Sequence, residues 1–168
     1  MMRWIMVFVA LVPGFAAASC FEQAAARYKV PVELLQAIST VESGGRANAY
    51  NANKNGSFDI GHMQINSSWL PTLAKYNIDV ESLQDPCINT NIGAWVLAHN
   101  IARFGLSWEA VGAYNAVSKS KREIYAKKVA AVLVELVRKK QAQAAQNVGP
   151  HSIGRENKVA SMNVAKRR

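Results

Sequence analysis

Pro31-Val32-Glu33-Leu34-Leu35-Gln36-Ala37-Ile38-Ser39-Thr40-Val41-Glu42-Ser43-Gly44-Gly45 reads as a helix with its own start and stop. Val32, Leu34, Leu35, Ile38 and Val41 recur at helical spacing. Pro31 suits a first turn, and Gly44-Gly45 ends the element. Outward from this stretch the helical pattern holds over roughly 20–140. Asn89 to Phe104 predicts a strong helix with Ile92, Trp95, Val96 and His99 on one stripe. Trp108 to Tyr114 predicts a shorter one. Lys121 to Lys139 predicts a long one with Tyr125, Val129, Val132, Leu133 and Leu136 facing inward. Ile65 to Ala74 suggests a short helix with Pro71 inside it. Ala47 to Ile60 is rich in Asn, Gly, Ser and Asp and reads as a loop or small hairpin. No alternating strand pattern of useful length and no internal repeat occurs, so the expected class is mainly α.

The chain has 168 residues, a formal charge of +9 and two cysteines. That length suits one domain. With half its residues hydrophobic, wholesale disorder is excluded. Residues 1–19 read as a secretory signal peptide. Arg3 supplies the positive start, Ile5 to Val12 the apolar run, and Ala16-Ala17-Ala18 the cleavage site. Trp4 to Ala18 is shorter than the roughly 20 residues a bilayer span needs. An exported chain permits a Cys20–Cys87 disulfide, which would constrain the unfolded chain by about 4 kcal/mol. The rival, a lipidated Cys20, has Ala where a lipoprotein signal wants Leu and would leave Cys87 unpaired. From Arg138 onward eight basic residues face one Glu156, whereas 20–137 carries eleven basic and ten acidic residues. The tail, 141–168, therefore reads as basic, disordered and solubilising, with loose attraction to an anionic surface as the alternative. It has no aromatic residue on which a nucleic-acid strand could stack, so no specific nucleic-acid binding is expected.

Three stretches contain residues that could do chemistry. Glu42 follows Val41 at the end of an apolar helix, where lost water contact raises a carboxyl's pKa towards that of a general acid. By itself the stretch fits an ordinary solvated helix-end glutamate. Ser57 to Asn66 places Asp59 in a polar loop and Gln64 and Asn66 among apolar residues. Two carboxyls pushed in opposite directions suit glycoside cleavage, and amides suit sugar hydroxyl and acetamido groups. The alternative is that Asp59 caps a turn and Gln64 satisfies loop backbone. Gly112-Ala113-Tyr114-Asn115 supplies further cleft candidates. Tyr125 on the inward stripe needs a buried partner for its hydroxyl: a carboxyl or a backbone carbonyl. No glycine-rich phosphate loop, Ser/His/Asp order or metal-ligand cluster occurs, so no cofactor or metal is expected. His99 reads as a packed histidine, and Trp69, Trp95 and Trp108 as core, with Trp69 the candidate sugar-stacking surface.

Glu42-Ser43-Gly44-Gly45, Gly61-His62-Met63-Gln64-Ile65-Asn66 and Ala113-Tyr114-Asn115 stand in the order and rough spacing of the SLT-type lytic transglycosylases. The sequence resembles the small exported members that serve type III or type IV secretion, conjugation or pilus assembly. Cys20-Phe21 and Asp85-Pro86-Cys87 resemble that subgroup too. The resemblance covers about residues 20–130. It implies a lysozyme-like helical domain, assigned here to 20–140, that cleaves peptidoglycan in the periplasm. It implies that Glu42 is the catalytic acid and base and that Ser43 helps to place substrate. Met63, Gln64, Tyr114 and Asn115 match cleft positions, and Tyr125 matches the tyrosine that holds the glutamate. His62 stands where an apolar residue is commoner. Gly56 to Trp69 also resembles the second-carboxylate segment of c-type lysozymes, with Asp59 17 residues after Glu42. The expected reaction is transglycosylation at the MurNAc–GlcNAc bond. Hydrolysis using Glu42 and Asp59, or wall binding without cleavage, stand as alternatives.

Overall fold

A computed structural model describes residues 19–147. The expected signal peptide, apart from Ser19, and residues 148–168 of the expected tail lie outside the described residues. The first helix, α1 (Cys20–Tyr28), starts from a reciprocal cap. The Ser19 hydroxyl accepts from the Glu22 amide, and the Glu22 carboxylate accepts from the Ser19 amide. The next helix, α2 (Val32–Ser43), occupies the expected stretch and closes at Gly44, whose φ of 66° needs no Cβ penalty. It buries Leu34, Leu35, Ala37 and Ile38. Leu35 and Ile38 are wholly out of water, worth about 1.5–3 kcal/mol each.

Three short strands follow: β1 (Tyr50–Ala52), β2 (Phe58–Ile60) and β3 (Ile65–Asn66). They form one antiparallel sheet in the order β1-β2-β3, pairing Asn51 with Asp59 and Asp59 with Asn66. The helix expected over Ile65 to Ala74 is not one element. Ile65 and Asn66 pair as β3, Ser67–Trp69 make a 3₁₀ turn, and α3 (Leu70–Leu73) follows. Asn66 starts the turn by accepting from the Ser68 amide, and Pro71 falls in the first turn of α3, where its missing N–H costs nothing.

The central helix, α4 (Pro86–Phe104), begins three residues before its expected start, because Asp85 accepts from the Cys87 and Ile88 amides. A short helix, α5 (Trp108–Gly112), leads to the long α6 (Lys119–Asn147). Tyr125 and Val129 of α6 are buried, and Val132, Leu133 and Leu136 pack partly against the core. The boundary expected at 140 falls inside this helix. Gln141 to Gln146 contains only Gln and Ala, good helix formers, and Lys140 is tied back to Glu33 of α2.

Cys20 and Cys87 form a disulfide with Cα atoms 5.0 Å apart, joining the starts of α1 and α4. Replacing both with Ser is expected to cost about 2–5 kcal/mol. Thermal unfolding should shift down by roughly 10 °C, and an unchanged midpoint would contradict this.

Candidate active site

Glu42 sits in the last turn of α2, at the mouth of a cleft between the sheet and the helices α4 and α6. The Tyr125 hydroxyl of α6 donates to Glu42 Oε1 at 2.6 Å. Burial pushes the Glu42 carboxyl up to about 7; the Tyr125 bond opposes the rise and the nearby negative charge of Asp59 adds to it. Such a group is close to half protonated at neutral pH and can both give and take a proton. The same burial, with the glutamate beside them, holds Tyr125 and Tyr114 protonated. Their rings stack with centroids 6.5 Å apart.

Asp59 lies opposite on β2, and its environment is built from amides. Asn66 donates to one carboxylate oxygen at 2.7 Å. Asn53 and Asn51 donate to the other at 3.0 and 3.4 Å. These donors come from both neighbouring strand segments, so sheet register fixes the carboxylate's position.

The segment from Gly61 to Gln64 closes the cleft floor through two left-handed residues, Gly61 (φ 73°) and Gln64 (φ 50°). Asn89 of α4 holds it. Its Oδ1 accepts from the Met63 amide at 2.8 Å, and its Nδ2 donates to the Ile60 and Leu83 carbonyls. The Tyr114 hydroxyl donates to the Met63 carbonyl at 2.9 Å. His62 is buried between α2 and α4. Its Nε2 lies 3.1 Å from the Pro86 carbonyl, which can only accept, so Nε2 carries the proton and Nδ1 accepts from the Ser39 hydroxyl at 2.8 Å. Burial lowers its pKa.

The cleft holds about 840 Å³ beside Glu42. Asp59, Gln64 and Asn66 line the sheet side, and Tyr114, Asn115 and Val117 the helix side. A second polar compartment of about 590 Å³ adjoins the cleft, sharing Glu42, Asp59, Gln64 and Asn115 with it and reaching Arg46, Asn48 and Tyr50. A carboxyl that lines both compartments can meet a substrate that extends through them. Among the described residues no group of three His, Cys, Asp or Glu side chains is placed to hold a metal ion.

The family model described as Transglycosylase SLT domain matches residues 19–132. The chain belongs to this family. It is an enzyme that cleaves glycosidic bonds of peptidoglycan, on a lysozyme-like fold. It is 40% identical to the invasion protein IagB of Salmonella typhimurium over 144 residues, covering 85% of this chain and 90% of that one. It is 37% identical to the protein IpgF of Shigella flexneri over 124 residues, covering 73% and 82%. Its fold is similar to the X-ray structure of an inactive mutant of the lytic transglycosylase Slt from Pseudomonas aeruginosa, with a TM-score of 0.60 and 20% identity. That match covers 77% of this chain and a quarter (25%) of the larger protein.

Within this SLT domain Glu42, Asp59, Gln64, Asn66, Tyr114 and Asn115 share one cleft. The side chains of two expected substrate-binding residues lie beneath the cleft surface. Ser43 is 4% exposed, and its hydroxyl donates to the His62 carbonyl and accepts from the Arg46 amide. One residue further along a helix lies about 100° round its axis, so Ser43 turns into the core while Glu42 faces the cleft. Met63 is fully buried, packed so closely on Gly93 that a Cβ there would lie 2.6 Å from Met63 Cε. Both brace the cleft from beneath. His99 is exposed rather than packed inside, its ring edge-on to Trp69 with centroids 6.2 Å apart, and Trp108 is 51% exposed. Trp69 does line the cleft. The sequence reading missed Asn51 and Asn53, seen only as loop residues, and Asn100. Asn100 stands one helical turn after Val96 and shares its face, a spacing visible in the sequence.

Proposed function

We propose that this enzyme is a lytic transglycosylase of the bacterial envelope, exported to the periplasm. There it opens peptidoglycan for a secretion, conjugation or pilus apparatus. Protonated Glu42 donates to the oxygen bridging N-acetylmuramic acid to N-acetylglucosamine, and the C1–O bond breaks. Glu42, now a carboxylate, takes the proton from the muramic 6-hydroxyl as that oxygen bonds to C1. A 1,6-anhydro ring closes, Glu42 is protonated again, and no water is consumed. The observation that carries this reading is Glu42 itself, buried, bonded to Tyr125 and lining two adjoining compartments of one cleft. Gln64, Asn66, Tyr114 and Asn115 bind the sugars along the cleft. The envelope role is supported by the likeness to a protein named for invasion.

Hydrolysis is the second reading, favoured by Asp59 standing close enough to raise the Glu42 carboxyl. In that route Asp59 steadies or traps the cationic sugar while water attacks. Mass spectrometry of digested cell walls separates the two: anhydro-muropeptides are expected, and reducing ends alone would overturn the transglycosylase reading. Binding to insoluble peptidoglycan with no soluble fragments would make the protein a wall-binding module.

Asp59→Asn provides an independent check. A transglycosylase should be weakened by it, a two-carboxylate hydrolase disabled. Loss of the negative charge should also move the Glu42 pKa down, so the alkaline limb of the pH–rate profile shifts to lower pH.

A further inference from the structure

Among the described residues, one buried side-chain nitrogen or oxygen lacks a hydrogen-bond partner: Nδ2 of Asn100. Such an unmet donor lowers stability, and folded proteins keep few of them. The same helix shows the alternative, since both amide hydrogens of Asn89 go to backbone carbonyls. Asn100 lies at the other end of α4, in the wall of the main cleft. Val96, Trp69, Ala116 and Val117 line the same cleft, as do Asn66 and Ser68. The cleft thus combines apolar side chains with one unused donor.

We infer that Asn100 is a substrate-binding residue that donates its side-chain N–H to the acetamido carbonyl of an N-acetylated sugar in the cleft. The acetamido group has the two matching parts: a carbonyl oxygen to accept, and a methyl to lie against the apolar wall. A sugar hydroxyl could accept the bond but would leave that wall facing a polar group. The last torsion of an asparagine is soft, so a turn about it brings the N–H to the cleft surface. The inference rests on the reading above that the cleft holds peptidoglycan glycan.

The test uses the full chain carrying Glu42→Gln, so that binding is measured without turnover. Isothermal titration compares N-acetylated peptidoglycan oligosaccharides with the same oligosaccharides after chemical de-N-acetylation. Adding Asn100→Leu, or Asn100→Ala should the larger side chain not fit, should raise Kd for the N-acetylated glycan about three- to tenfold. Kd for the de-N-acetylated glycan should not change. The melting midpoint of the folded variant should not fall, because a buried unmet donor has gone. Unchanged affinity for both glycans, or equal loss for both, would overturn the inference. The functional reading is judged separately, on anhydro-muropeptide release by the native chain. Release that persists with a neutral Asn100 substitution would sink this inference alone.

Discussion

Glu42→Gln should abolish peptidoglycan turnover, by about 10²–10⁴-fold or more, while leaving the fold intact. Glutamine keeps an oxygen to accept from Tyr125 and loses only the transferable proton. Its effect on stability has a definite sign. The folded-state pKa of Glu42 is raised from 4.5 to about 7, so the native state holds the proton more tightly than the unfolded chain. The stabilisation is fully present below about 4.5 and is lost as pH rises through about 7. The shift corresponds to about 3 kcal/mol. The Gln variant should therefore match the native protein at pH 4 and exceed its stability at pH 8. Turnover by the native enzyme should fall as pH rises past about 7, because the proton donor is lost. Denaturant titrations at the two pH values and a pH–rate profile check both statements. Retained turnover in the variant would remove Glu42 from the mechanism.

Gly61→Ala is expected to have the largest structural effect. A Cβ at Gly61 would lie 2.2 Å from Asn89 Nδ2, and the residue's φ of 73° disfavours any side chain. Asn89 cannot retreat, because it is fully buried and makes three hydrogen bonds from the chain core to the cleft floor. Displacing it would strand backbone groups of Ile60, Met63 and Leu83. The cost should be about 3–5 kcal/mol, in the range of lost buried polar networks. A chain that melts normally would disprove this. One that folds should still lose activity, since Met63 and Gln64 move with the loop.

The sequence shows α2 clearly because its signals are local: a stripe of Val, Leu and Ile at one spacing, and two glycines behind it. The sheet shows in the sequence only as a loop or small hairpin over Ala47 to Ile60. Strands of two or three residues are too short to alternate, and their register brings Asp59 against Asn51 and Asn66, eight and seven residues away across the turns. The length of the last helix was not legible because Arg138 to Lys140 reads as a charge run, while the pairing of Lys140 with Glu33 spans 107 residues. Motifs identified which residues lie near Glu42 without giving their direction. Ser43 and Met63 are beside the cleft in sequence and beneath it in space. The Glu42–Tyr125 bond, 83 residues apart, has no local signature at all. The inward stripe called only for a carboxyl or a carbonyl beside Tyr125; the resemblance to a family named the glutamate.

The final helix runs antiparallel along α2 and grips it twice, through Tyr125 at the glutamate end and Lys140 at the Glu33 end. The family match stops at residue 132, between those two grips. A fragment cut there would keep every cleft residue yet release Leu133, Leu136 and Lys140 from the helix that bears Glu42. Its acid-bearing helix would be held from one end only, so a fragment ending at 132 is expected to melt at a lower temperature than one reaching 140.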